Sequence, residues 1–282
     1  MKIVISGSEG FIGKHLSKKL TEPNIEIIPI DILRGIDVCN WDHVRQIKDF
    51  DVALHLANRT YVPDSYNHPL DFYATNFNGT LNMLELCRNN NAKFIYLSSY
   101  IYGQPDYLPI DEQHPVKAFN PYAQSKVICE EICKGYSRDF KVPVIIFRPF
   151  NIYGPGQNED FLIPKMIKQS KLGKIEIRDL RPRRDYIHVE DAVRAIASSL
   201  DYNPPNGVEL FNLGYGKSYS VKEVADIIIS KTPGDISLYS SEEVRDNEVL
   251  DTVANIEKAG RLLKWQPKID LETGIRELIK DK

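Results

Sequence analysis

An apolar run, Lys2–Gly7, passes without a linker into GSEGFIG, and the following residues, FIGKHLSKKL, place apolar side chains at helical spacing. A strand that becomes a helix through Gly7, Gly10 and Gly13 leaves few architectures open. The glycines permit a tight turn and a close backbone approach, and the new helix aims its free amides at whatever sits in the turn. A strand this apolar needs parallel neighbours and helices on both faces. The chain supplies them. Apolar runs at Ile25–Asp31, Asp51–Ala57, KFIYLSS and Val142–Pro149 alternate with helical patterns near Leu70–Asn89 and from Tyr122 onward. That βαβα order predicts an α/β fold with a parallel, doubly wound sheet.

From Asn151 the pattern changes. NIYGPGQNEDFLIP is rich in loop residues, a helix is expected near Phe161, and Ser220 is placed to cap a helix at its N-terminus. The expected division is a dinucleotide-binding Rossmann-type domain, 1–150 plus 184–214, and a smaller, discontinuous α/β substrate domain, 151–183 plus 215–282. The length of 282 residues suits this plan. A net charge of −3 with no long basic run argues against a nucleic-acid partner. The N-terminal run lacks a cleavage site of the secretory kind, and no apolar run approaches the roughly 20 residues of a membrane span. Cys39, Cys87, Cys129 and Cys133 have no histidines at zinc-ligand spacing, so no metal site is expected and the thiols suit a reducing cytoplasm.

Asp31 closes the second strand. A carboxylate there accepts hydrogen bonds from ribose hydroxyls and repels a 2′-phosphate, which favours NAD; Arg34, three residues on, softens that preference and admits NADP. NPYAQSK sets Tyr122 and Lys126 four residues apart at the head of a helix. An ammonium group beside a phenol is expected to lower its pKa and fit it for proton transfer near neutral pH.

These residues together resemble the extended short-chain dehydrogenase/reductase family, in particular its nucleotide-sugar epimerases, dehydratases and reductases. The resemblance implies that the loop Gly7, Gly10, Phe11, Ile12 and Gly13, with Asp31, holds NAD(P). GIDV looks like the family element that places Asp37 and Val38 at the adenine. LSSYIYG looks like the family's serine/threonine element, in which Ser98, four residues before Tyr102, is the hydroxyl that meets substrate and Ser99 the alternative. With Tyr122 and Lys126 it completes a Ser–Tyr–Lys set, and Lys126 also bonds the nicotinamide ribose. RPFNIYGPGQ implies that Asn151 contacts a sugar diphosphate. RRDYIHVEDA and the later EEVRDNEV imply Arg184 and Arg245 as diphosphate ligands, with Glu248 where the family usually has aspartate. His55 and Trp265 read as structural residues. The resemblance also implies a homodimer built on the helices near Leu70–Asn89 and from Tyr122.

The chain departs from the family in ways that bear on function. Ser99 and Tyr100 stand where the 4,6-dehydratases carry Asp-Glu, so dehydration is not expected. Only ILRGI separates Asp31 from Asp37, a short link of the kind found in 4-keto-6-deoxy-sugar reductases, which must exchange cofactor at each turnover. KIEIRDLRPRRDY lacks the glycines usual near the nucleobase. The expected activity is reduction of a 4-keto nucleoside-diphosphate hexose. A C4 epimerase is the alternative, and a catalytically idle NAD-binding regulator a remote one.

Overall fold

The computed structural model describes residues 1–244 and 248–280. The chain runs β1 (Lys2–Ser6), α1 (Phe11–Lys19), β2 (Glu26–Ile30), α2 (Trp41–Val44), β3 (Val52–His55), α3 (Val62–Asn67), α4 (Pro69–Asn90), β4 (Lys93–Leu97), α5 (Pro121–Phe140) and β5 (Val144–Pro149). It continues with β6 (Asn151–Tyr153), α6 (Leu162–Ser170), β7 (Lys174–Ile177), β8 (Arg183–His188), α7 (Val189–Ser198), β9 (Val208–Leu213), β10 (Ser218–Ser220), α8 (Val221–Lys231), β11 (Ser237–Ser240), α9 (Glu257–Leu263) and α10 (Leu271–Lys280). No described helix is long and apolar enough to cross a membrane.

Two compact units result. The first comprises Met1–Gly103, Val116–Pro149 and Val193–Phe211. Its six-stranded sheet has the order β2-β1-β3-β4-β5-β9, and β1 to β5 pair in parallel. Every residue of β3, β4 and β5 is buried, as strands covered on both faces must be. The order reverses between β1 and β3, which opens a crevice at their carboxyl ends, where Gly7 follows β1 and Leu56 follows β3.

Helix ends are fixed locally. The Asn120 side chain accepts the Ala123 amide at 2.7 Å, and Pro121 occupies the first turn, so α5 starts one residue before Tyr122. Asn91 and Lys141 adopt the left-handed conformation that ends α4 and α5. Ser220 caps α8 through a full capping box with Glu223, as its position in the sequence suggests.

The second unit comprises Gln104–Pro115, Phe150–Ala192 and Asn212–Lys282. It holds the three-stranded sheet β10-β8-β6 and the parallel pair β11-β7, with Met166, Ile167, Val224, Ile228 and Ile275 at the centre of its core. The division differs from the sequence expectation at 104–115, 184–192 and 212–214. Residues 184–192 belong with this unit because the buried Asp185 carboxylate accepts the amides of Tyr215, Gly216 and Ala254 at 2.6, 2.9 and 3.0 Å. Gln104–Pro115 joins it because Ile110 bridges to Ala254 and Glu112 accepts the Asn212 amide. Trp265 is packed as expected, 2% exposed, with its indole N–H on the Asp191 carbonyl at 3.0 Å.

The glycine turn is the tightest point of the first unit. A Cβ on Gly13 would lie 2.1 Å from the Gly7 carbonyl oxygen and 2.8 Å from Ser8 Cα, both backbone atoms that cannot swing aside. Gly13→Ala is therefore expected to lower stability by about 1–3 kcal/mol, read as a lower urea midpoint. Gly135, inside α5 with nothing within 4 Å of its added Cβ, is the control: Gly135→Ala should raise the midpoint by about 0.5–1 kcal/mol in stability.

Candidate active site

The glycine turn is shaped for close contact with a ligand. Gly7 has φ +72, and a Cβ there would sit 2.8 Å from the Ala57 amide nitrogen, so the loop after β1 lies directly on the loop after β3. Two polar side chains in these loops have no hydrogen-bond partner among the described residues: the buried Ser8 hydroxyl and the Asn58 amide, both of whose polar atoms are buried. Unpaired buried polar atoms are costly and call for an explanation. A dinucleotide bound on the turn would supply partners, with the helix α1 amides facing its pyrophosphate. The residues present fit that group. Ser8 was not singled out from the sequence, and Asn58 only as the last residue of HLAN, which resembles a family motif beneath the cofactor.

Asp31 is 8% exposed and fixed from two sides, its Oδ2 accepting the Glu9 amide at 3.0 Å and its Oδ1 the Leu33 amide at 3.0 Å. The link to Asp37 is a single 3₁₀ turn, Ile32–Arg34, closed by Gly35 in the left-handed conformation. Asp37 accepts the Cys39 amide at 2.9 Å. Val38 turns its side chain inward. Its side chain is 6% exposed in the core beneath α4, where an added Cβ on Gly79 would lie 3.0 Å from its Cγ2, so only its backbone remains for a ligand. Phe11 and Ile12 open α1 half-buried, with the Phe11 ring edge-on to His15.

At the far side of the crevice, α5 presents Tyr122 and Lys126 to the end of β4. The Lys126 ammonium is buried, donates to the Leu97 carbonyl at 2.8 Å and sits 4.7 Å from the Tyr96 ring centroid. Burial pulls it down to about 8. Tyr122 lies with its ring centroid 6.0 Å from that ammonium. Burial pushes the phenol up to about 12, against the opposing effect of a hydrogen bond with the Ser99 side chain. The expected depression by Lys126 is not met: burial is the larger effect on the phenol.

The hydroxyl beside Tyr122 is that of Ser99, the alternative to Ser98. Strand register gives the reason. Leu97 pairs with Phe147, so Ser98 falls opposite Arg148 with its side chain on the same face. Its amide still bonds the Phe147 carbonyl at 2.8 Å, and its hydroxyl donates to Glu130 Oε1 at 2.6 Å. Arg148 completes the buried cluster with Nε on Glu130 Oε1 at 2.9 Å and Nη2 on Oε2 at 2.5 Å. Ser99, the second residue beyond the end of β4, meets Tyr122.

Two buried residues brace this arrangement. His55 bonds Ser6 Oγ at 2.7 Å and Thr80 Oγ1 at 3.2 Å, and burial lowers it to about 3, so it is a neutral structural histidine. Asn76 accepts the Arg59 amide at 2.8 Å and donates to Ser125 Oγ at 2.9 Å, tying the loop after β3 to the first turn of α5.

In the second unit, Arg184 and Glu248 come together. Arg184 Nη2 is paired with Glu248 Oε1, and Nη1 donates to the Val249 carbonyl at 2.5 Å. Asn151 donates to the Asp185 carbonyl at 3.2 Å. Arg245 lies outside the described residues.

Comparison with known proteins places these features in context. Residues 3–214 match the NAD dependent epimerase/dehydratase family. A putative UDP-glucose 4-epimerase of Methanocaldococcus jannaschii is 32% identical over 98% of this chain and 97% of its own. A GDP-6-deoxy-D-mannose reductase of Pseudomonas aeruginosa is 27% identical over 99% and 96%. Among solved structures, RMD from Pseudomonas aeruginosa, complexed with NADPH, matches with a TM-score of 0.90 at 26% identity, covering 99% of this chain and 98% of that one.

The buried Lys126 has a pH signature. Its folded pKa of about 8 lies below its ordinary 10.5, so between those values the unfolded chain binds more protons and stability rises with pH. The penalty is complete below about pH 8 and fades toward pH 10.5. Lys126→Met removes it. The stability of the native chain relative to this variant should therefore increase from about pH 7 to about pH 10 in urea unfolding. A gap independent of pH would mean that Lys126 titrates normally.

Proposed function

We propose that this chain, which belongs to the NAD-dependent epimerase/dehydratase family, transfers hydride at C4 of a nucleoside-diphosphate hexose, and that its turnover reaction is reduction of a 4-keto sugar. The observation that carries the reading is the meeting of Ser99, Tyr122 and Lys126 at the end of β4, in the same unit as the glycine turn. When bound, the nicotinamide supplies the hydride. Tyr122, held protonated at neutral pH, delivers a proton to the carbonyl oxygen as C4 receives the hydride, so the ketone becomes an alcohol and the phenol is recharged from solvent. Ser99 holds that oxygen by hydrogen bonding, and Lys126 offsets negative charge left on the phenol. Gly7, Gly10, Phe11, Ile12 and Gly13 form the pyrophosphate turn, Asp31 and Asp37 serve the adenosine half, and Arg184 with Asn151 serves the sugar nucleotide.

Two features favour reduction over epimerisation. The cofactor cover is one 3₁₀ turn whose Ile32 and Leu33 are 71% and 79% exposed, which suits exchange at every turnover. A protonated Tyr122 is ready as an acid and needs help to act as the base that sugar oxidation requires. The relatives carry both names, reductase and putative 4-epimerase. Epimerisation remains the second reading because Asp31 favours tightly held NAD. The functional unit proposed is a homodimer: α4 and α5 leave Phe77, Leu81, Val127 and Ile128 partly uncovered.

One preparation tests these points. Denaturing the purified protein should release less than stoichiometric nucleotide, whereas one NAD per chain would select the epimerase. Light scattering should give twice the chain mass, and a monomer at micromolar concentration would remove the dimer. Tyr122→Phe and Ser99→Ala should each lower kcat by about 10²-fold or more with NADH binding kept, while Ser98→Ala should keep turnover within a few-fold and lose about 1–3 kcal/mol of stability. A Ser98→Ala that loses turnover while Ser99→Ala retains it would reverse the assignment.

A further inference from the structure

The sequence makes Arg34 the residue that should soften the NAD preference set by Asp31. The structure gives it another partner. Arg34 Nε donates to Glu9 Oε1 at 2.6 Å. Glu9 is the residue between Ser8 and Gly10 in the glycine turn, and its own backbone amide donates to Asp31 Oδ2 at 3.0 Å. Glu9 therefore touches both groups on which the choice between a ribose 2′-hydroxyl and a 2′-phosphate depends.

The geometry on both sides is fixed by backbone. Asp31 caps the 3₁₀ turn through the Leu33 amide, the Arg34 amide returns to the Asp31 carbonyl at 2.9 Å, and Gly35 closes the turn at φ +76. Arg34 thus projects from a short rigid turn back toward the glycine loop, where the Glu9 carboxylate meets it. The cluster holds two carboxylates and one guanidinium, a net charge of −1. Without the Glu9 charge the same place would be neutral, with a free guanidinium fork of the shape that suits phosphate.

The pair contributes little to the fold. The Arg34 and Glu9 side chains are 51% and 25% exposed, and ion pairs of this kind add about 0–1 kcal/mol. Its effect falls instead on ligand charge.

We propose that Glu9 is a cofactor-selecting residue: by holding Arg34 and adding a second negative charge next to Asp31, it keeps the chain selective for NAD(H) and withholds the arginine that would otherwise receive the 2′-phosphate of NADP(H). The inference rests on the dinucleotide reading of the glycine turn and goes beyond it by assigning selectivity to a residue of the turn itself.

The test uses the whole chain and direct fluorescence titration with NADH and with NADPH, independent of turnover. Glu9→Gln keeps the side-chain shape and removes the charge. It should tighten NADPH roughly five- to tenfold and leave NADH within about twofold, the range that one partly exposed charge contact commands. Arg34→Ala alone should change NADPH affinity by less than about twofold, since its charge is already engaged, and Glu9→Gln with Arg34→Ala should lose the gain. An unchanged NADPH-to-NADH ratio in Glu9→Gln overturns the proposal. So does a gain that survives in the double variant, because Arg34 is then not the agent. If wild type binds neither dinucleotide, the cofactor reading fails and this inference with it. Thermal unfolding of each variant separates loss of binding from loss of fold.

Discussion

A buried ammonium must find a hydrogen-bond acceptor or lose its charge, and Lys126 finds the carbonyl of Leu97. That contact pins the first turns of α5 against the end of β4. Everything proposed for the chemistry depends on it. It sets Tyr122 one turn from the lysine and beside Ser99, two residues past the end of β4.

Beneath this contact lies a second buried charge system. Glu130 follows Lys126 by one helical turn and is paired with Arg148 of β5, with the Ser98 hydroxyl as a third partner. A buried ion pair is weak evidence for net stability, since desolvation opposes the attraction, but breaking it leaves an uncompensated charge. Its value here is geometric. It joins α5, β4 and β5 at the level of the site and fixes which serine of the Ser98–Ser99 pair points where.

Much of this was legible in the sequence, for reasons that are local. The glycine turn, the alternating strands, the Asn120–Pro121 helix start and the Ser220 capping box are each written in a few adjacent residues. What escaped depends on partners distant in sequence. Counting back from Tyr102 selected Ser98, whereas the β4–β5 register decides that Ser98 faces Arg148 and Ser99 faces Tyr122. Residues 104–115, 184–192 and 212–214 fall in the second unit, against the expectation, because the bonds that hold them, from Asp185 to Tyr215 and Ala254 and from Glu112 to Asn212, join segments far apart in the chain. The engagement of Arg34 by Glu9 is likewise invisible until a turn and a loop 25 residues apart are placed together.

The central claim is that Tyr122 and Ser99 position a sugar carbonyl for hydride delivery at C4. The most direct measurement supplies NADH deuterated at the transferring position of its nicotinamide ring, with a 4-keto nucleoside-diphosphate hexose, and locates the label in the product by NMR. The expected result is one deuterium on C4 of the sugar, absent when unlabelled NADH is used. Deuterium on any other carbon, or a product with none, would contradict the claim.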